Sequence, residues 1–75
     1  MENFIVFGKW LKARRVENDL TQGELARRVF CAEITIRKIE AGDLRPSREL
    51  AALIVGALES AEAEVRGPVR WARQR

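Results

Sequence analysis

Residues 20–40, LTQGELARRVFCAEITIRKIE, constrain this chain more than any other stretch. Leu20 and Leu25 bracket Thr21 and Glu24 in the order Leu-Thr-x-x-Glu-Leu. That spacing is a capping box inside a hydrophobic staple. The Thr21 hydroxyl accepts from the Glu24 N–H, the Glu24 carboxylate accepts from the Thr21 N–H, and the two leucines close over the helix start. A helix from Gln22 to Val29 follows, with Leu25, Ala26 and Val29 on its apolar side. After a short break a second helix, Glu33–Ala41, runs to Gly42, a C-terminal stop. At roughly 100° per residue, Ile36 and Ile39 mark its buried side, and Glu33, Ile34, Arg37, Lys38 and Ala41 gather opposite.

The flanking segments repeat the helical period. Phe4, Phe7 and Leu11 form an i, i+3, i+7 stripe that predicts a first helix over Phe4–Glu17, ended by Asn18-Asp19. Gly42-Asp43-Leu44-Arg45-Pro46 is a loop, and Ser47 is placed to cap a helix over Arg48–Leu58 with Leu50, Leu53, Ile54, Ala57 and Leu58 inward. Ser60 is placed to cap a last helix, Ala61–Arg66, stopped by Gly67-Pro68. No strand-like alternation, internal repeat or low-complexity tract is present. The reading is all-α, a compact bundle of four to five short helices around the central pair, with a domain over residues 1–66 and a basic tail or linker over 67–75.

At 75 residues one core is barely sufficient, but an apolar content of 47% sets the chain apart from disordered sequences. One cysteine and no histidine exclude an internal disulfide and a zinc site of Cys and His within one chain, and neither metal nor cofactor is expected. The N-terminus lacks the marks of a signal peptide, and the longest uncharged run, Leu50–Leu58, is too short to span a bilayer. A cytoplasmic, nucleoid-associated protein with no membrane partner is expected. The net charge of +3 needs dissection. Arg66, Arg70, Arg73 and Arg75 stand in a stretch without acids, and removing them leaves residues 1–65 at −1, ten basic against eleven acidic side chains. A nucleic-acid footprint must therefore come from local clustering.

The second helix of the pair offers such a cluster. A helix, tight turn and helix is an architecture that sets one helix in a DNA groove while the other braces it. Ile34, an isolated apolar residue beside Lys38, suits a thymine methyl next to hydrogen bonds to a guanine edge. Glu33 suits a cytosine amino group, or else pairs with Arg37 at i+4. The plainer reading is a solvated polar face. Gln22 lies at a helix start, where an amide adds a hydrogen bond to a phosphate. Arg45 and Arg48 around Pro46 and Ser47 form a second phosphate clamp or serve only solubility. Arg15 continues the apolar stripe of the first helix, and Glu40 lies about 70° from the centre of the apolar arc of its own helix. The two are expected to pair across the helices, against the alternative that both reach water.

Residues 7–58, about two-thirds of the chain, resemble the phage-repressor and Cro-like helix-turn-helix family, also called the xenobiotic-response-element family. The matching motifs are Leu20-Thr21-Gln22-x-Glu24-Leu25-Ala26, Thr35-Ile36-x-x-Ile39-Glu40-x-Gly42 and Arg45-Pro46-Ser47. The resemblance implies a lambda-repressor-like, five-helix DNA-binding domain of a transcriptional regulator. By position it implies that Gln22 touches phosphate, that Glu33, Ile34 and Lys38 read bases, that Thr35 and Arg37 lie near the DNA backbone, and that Arg15 pairs with Glu40. The run TIRKIEAGDLRPSRELA is similar to N-terminal domains of larger bacterial regulators, which implies further domains in a longer parent protein. Two positions depart from the family. Phe30 stands where the turn glycine is usual, requiring another turn shape or strain at positive φ. Ala32 replaces the usual Ser or Thr cap and forgoes about 1 kcal/mol.

The expected function is sequence-specific binding of double-stranded DNA, as a homodimer on two half-sites. The competing reading is a protein-interaction module, an antitoxin half or an adaptor, with Phe30, Ile34 and Trp10 as anchors. No enzyme is expected: Cys31 has no base beside it and reads as a small core hydrophobe. The tail PVRWARQR is a helical turn anchored by Trp71, a linker, or a basic arm on DNA.

Overall fold

A computed structural model describes residues 4–66, with side chains through Ala61. Four helices occupy the described residues: α1 (Phe4–Glu17), α2 (Gln22–Arg28), α3 (Glu33–Ala41) and α4 (Arg48–Arg66). α1 and α2 both pack on α3, and α4 packs on α2. Leu11, Leu20, Leu25, Val29, Ile36, Ile39, Ile54 and Leu58 fill the space between them, together with the smaller Ala26 and Ala61. The core thus forms from one stripe of each helix, with α3 at its centre.

The helix boundaries have local causes. Thr21 Oγ1 accepts from Glu24 N at 3.0 Å and Glu24 Oε1 accepts from Thr21 N at 2.8 Å, the reciprocal box expected from the sequence. Leu20 and Leu25 are both buried beside it. Ser47 Oγ accepts from Leu50 N at 3.1 Å and starts α4. α3 begins without a side-chain cap at Ala32.

Three helices end in the same way. After α1, Leu20 N donates to Arg15 O at 3.0 Å and Asp19 N to Val16 O at 3.0 Å. After α2, Cys31 N donates to Ala26 O at 3.0 Å and Phe30 N to Arg27 O at 3.4 Å. After α3, Asp43 N donates to Lys38 O at 2.9 Å and Gly42 N to Ile39 O at 3.1 Å. Each is a Schellman pair, which requires a left-handed residue just past the helix. Those residues are Asp19 (φ 59°), Phe30 (φ 62°) and Gly42 (φ 82°). Glycine adopts this conformation freely and aspartate tolerates it, whereas phenylalanine does so at a cost of about 1–2 kcal/mol. Phe30 therefore keeps the usual turn and accepts the strain, and its ring, 88% exposed, gains no packing in return.

Two expectations are corrected. Ser60 does not cap a separate helix: α4 runs unbroken to Arg66. No glycine or proline interrupts residues 59–66, alanine and glutamate there favour helix, and buried Ala61 continues the stripe of Ile54 and Leu58 at i+4 and i+7. Leu53 does not join the core and remains 48% exposed, because α4 meets its neighbours over a narrower arc, with Leu50 and Ala57 half-buried. The tail, with Arg70 and Trp71, lies outside the described residues.

Candidate nucleic-acid interface

α3 is fixed from within before anything is presented outward. Ile36 and Ile39 are fully buried, and the helix crosses α1 at backbone contact, since a Cβ on Gly8 would overlap the Ile39 carbonyl oxygen. The opposite face is left to solvent. Glu33, Ile34, Arg37 and Lys38 are exposed, and Thr35 is half-buried at the edge. Ile34 is 45% exposed, with charged side chains on either side of it along the helix.

Glu33 is not isolated on this face. Its Oε2 lies 3.8 Å from Arg37 Nη2, a loose i,i+4 pair between two well-exposed side chains, of a kind that contributes little to stability. Its Oε1 leans back over α2, 3.4 Å from where a Cβ on Gly23 would stand, and Arg27 Nη1 is 3.7 Å from the same point. The Glu33 carboxylate thus faces Arg37 on its own helix and the Gly23–Arg27 edge of α2.

The C-terminal half of α3 is anchored by charge. Arg15 Nε donates to Glu40 Oε2 at 2.6 Å and Arg15 Nη2 to Glu40 Oε1 at 3.1 Å. The remaining Arg15 nitrogen, Nη1, donates to the Leu20 carbonyl at 2.7 Å. Arg15 is 9% exposed and the Glu40 side chain 4%. A fork–fork pair of this kind is directional, so it fixes the rotation of α3 relative to α1 as well as their separation. Asn18, also buried, donates from Nδ2 to the Arg14 carbonyl at 2.8 Å and closes the end of α1 beside the pair.

Gln22, the first residue of α2, is half-buried, and its Nε2 donates to Glu40 Oε1 at 3.1 Å. Sequence reasoning singled out Gln22 and Glu40 separately and missed this link. Each position borders the core, but no sequence signal joins the two. Arg45 and Arg48 are exposed, one in the loop after α3 and the other at the start of α4. Near the turn, burial pushes the Cys31 thiol up from its ordinary pKa, and its Sγ–H donates to the Ala32 carbonyl at 3.5 Å. Both effects favour the unreactive thiol. Among the described residues no group of side chains is disposed to hold a metal, and no helix is long and apolar enough to cross a membrane.

A family model described as a helix-turn-helix domain matches residues 6–66. No curated protein and no solved structure matches the chain.

Proposed function

Because the chain belongs to the helix-turn-helix domain family, we propose that it binds duplex DNA sequence-specifically as a transcriptional regulator, with α3 in the major groove. The observation that carries the reading is the contrast across α3. Ile36 and Ile39 are sealed, while Glu33, Ile34 and Lys38 stand exposed together on the other side. The major groove, about 12 Å wide, admits one α-helix. In this reading Lys38 donates to a guanine edge, Ile34 meets a thymine methyl and Glu33 accepts from a cytosine amino group. Gln22, Thr35, Arg37, Arg45 and Arg48 hold the phosphates on either side and set the register.

The domain, residues 1–66, acts in pairs on two half-sites about 34–36 Å apart, and residues 67–75 link it to further domains or add positive charge beside the duplex. Such a protein works in the cytoplasm, on the nucleoid. Selection from random duplexes, followed by affinity over a salt series, tests this. A single preferred sequence and a steep fall in affinity with salt are expected. Salt-independent binding, or no enrichment of any sequence, contradicts it.

One observation favours a second reading, a protein-interaction module on the same fold. Phe30 holds a left-handed conformation and exposes 88% of its surface, so it carries two local costs and makes no core contact that repays them. Capture of a protein partner that is lost in F30A but kept in K38A supports this reading, and an unchanged partner profile in F30A counts against it.

A further inference from the structure

The geometry points to Glu40 as a positioning residue for DNA-backbone contact, acting through the side-chain amide of Gln22. This rests on the DNA-binding reading and adds to it a residue that never touches DNA. The Glu40 carboxylate is buried and already neutralised: Arg15 donates to Oε2 at 2.6 Å and to Oε1 at 3.1 Å. Oε1 also accepts from Gln22 Nε2 at 3.1 Å. A carboxylate only accepts, so it selects one of the two faces of the glutamine amide, with nitrogen inward and oxygen away. A primary amide nitrogen carries two hydrogens. With one held by Glu40, the second diverges by about 120° and is left for another acceptor, Gln22 being only half-buried.

A phosphate oxygen, like a carboxylate, only accepts. The orientation that satisfies Glu40 is therefore the one that offers a donor to a phosphate. If the amide turned over, its carbonyl oxygen would occupy the nitrogen's place, and like lone pairs would meet there. Glu40 thus has two tasks that share one carboxylate. It locks α3 to α1 through Arg15, and it pre-sets the outward donor of α2. Positioning of the base-reading helix and of the backbone contact are thereby tied to a single side chain, and the amide is ordered before DNA arrives rather than on binding.

The test uses the whole chain and two readouts. In the free protein, 15N side-chain amide spectra assign Gln22 by its loss in Q22A. One of its two Nε2 protons is expected to be shifted from its position in free glutamine and slow to exchange. In R15M/E40M, which replaces the buried pair with apolar side chains so that no buried charge is stranded, the amide should revert to free-glutamine behaviour. Affinity for a selected duplex and for unrelated duplexes is then measured with Q22A in both backgrounds. Q22A is expected to weaken binding by about tenfold on every sequence in the wild type, the upper range for one hydrogen bond, and by clearly less in R15M/E40M, where the amide must be ordered on binding. Glutamine is uncharged, so the salt slope should not change in either case, whereas a displaced helix would alter it.

Should R15M/E40M fail to fold, E40D replaces it, keeping the charge but withdrawing the carboxylate by one methylene. An equal Q22A penalty in both backgrounds, or a Gln22 amide that behaves as free glutamine in the wild type, overturns the inference. A wild-type chain that binds no duplex overturns the DNA reading and this role with it, while the amide spectrum still reports whether the Glu40–Gln22 bond forms.

Discussion

Gly8 of α1 lies against the carbonyl oxygen of Ile39 in α3, so close that a Cβ at position 8 would overlap it. The obstacle is backbone, so no side chain can turn aside to make room. Elsewhere in a helix, Gly→Ala gains up to about 1 kcal/mol. Here G8A is expected to destabilise the fold by about 1–3 kcal/mol, the range for overpacking a tight contact. Urea unfolding followed by circular dichroism checks this, and a variant more stable than wild type would place α1 and α3 further apart than described.

Phe30 sits where glycine costs nothing. F30G removes about 1–2 kcal/mol of left-handed strain and loses no packing, because the ring is exposed. The freer unfolded chain returns part of that gain. The urea midpoint should therefore rise modestly, by an amount corresponding to about 1 kcal/mol. A fall in the midpoint would mean that the ring packs on this chain in solution.

The capping box ties stability to pH. The Thr21 N–H, donating to the Glu24 carboxylate, holds its pKa below the ordinary 4.5, assisted by the Thr21 hydroxyl and by Arg27 and Arg28 and opposed by desolvation. A depressed folded-state pKa means that this contribution is complete above the unfolded value and disappears as pH falls through the folded value. Below about pH 4.5, E24Q should therefore show a shallower loss of stability than wild type, while being the less stable of the two at pH 7. Parallel stability curves for the two proteins from pH 7 to pH 2 would contradict it.

Most of the fold is legible in the sequence because its signals are local. Thr21 and Glu24 mark the start of α2, Gly42 marks the end of α3, and the isoleucines at 36 and 39 show which side of α3 faces inward. The Arg15–Glu40 pairing is likewise anticipated from two charges that would otherwise be stranded beside apolar stripes. What escapes is tertiary. Gly8 reads as an ordinary helix residue until α3 is placed across it. Leu53 fits the apolar stripe of α4, yet the packing arc is too narrow to cover it. Ser60 has the character of a helix start, but Ala61 follows Leu58 into the core without a break. The Gln22–Glu40 bond depends on the angle between α2 and α3, which no spacing within either helix encodes.

The outward face of α3 is the centre of the account, and Lys38 tests it most directly. Selection of duplexes from a random pool is repeated with K38A, and the two preferred sequences are compared position by position. Relaxed preference at one base pair, by about 1–3 kcal/mol, with all other positions unchanged, is the expected result. A preference identical to wild type would contradict the placement of α3 in the groove.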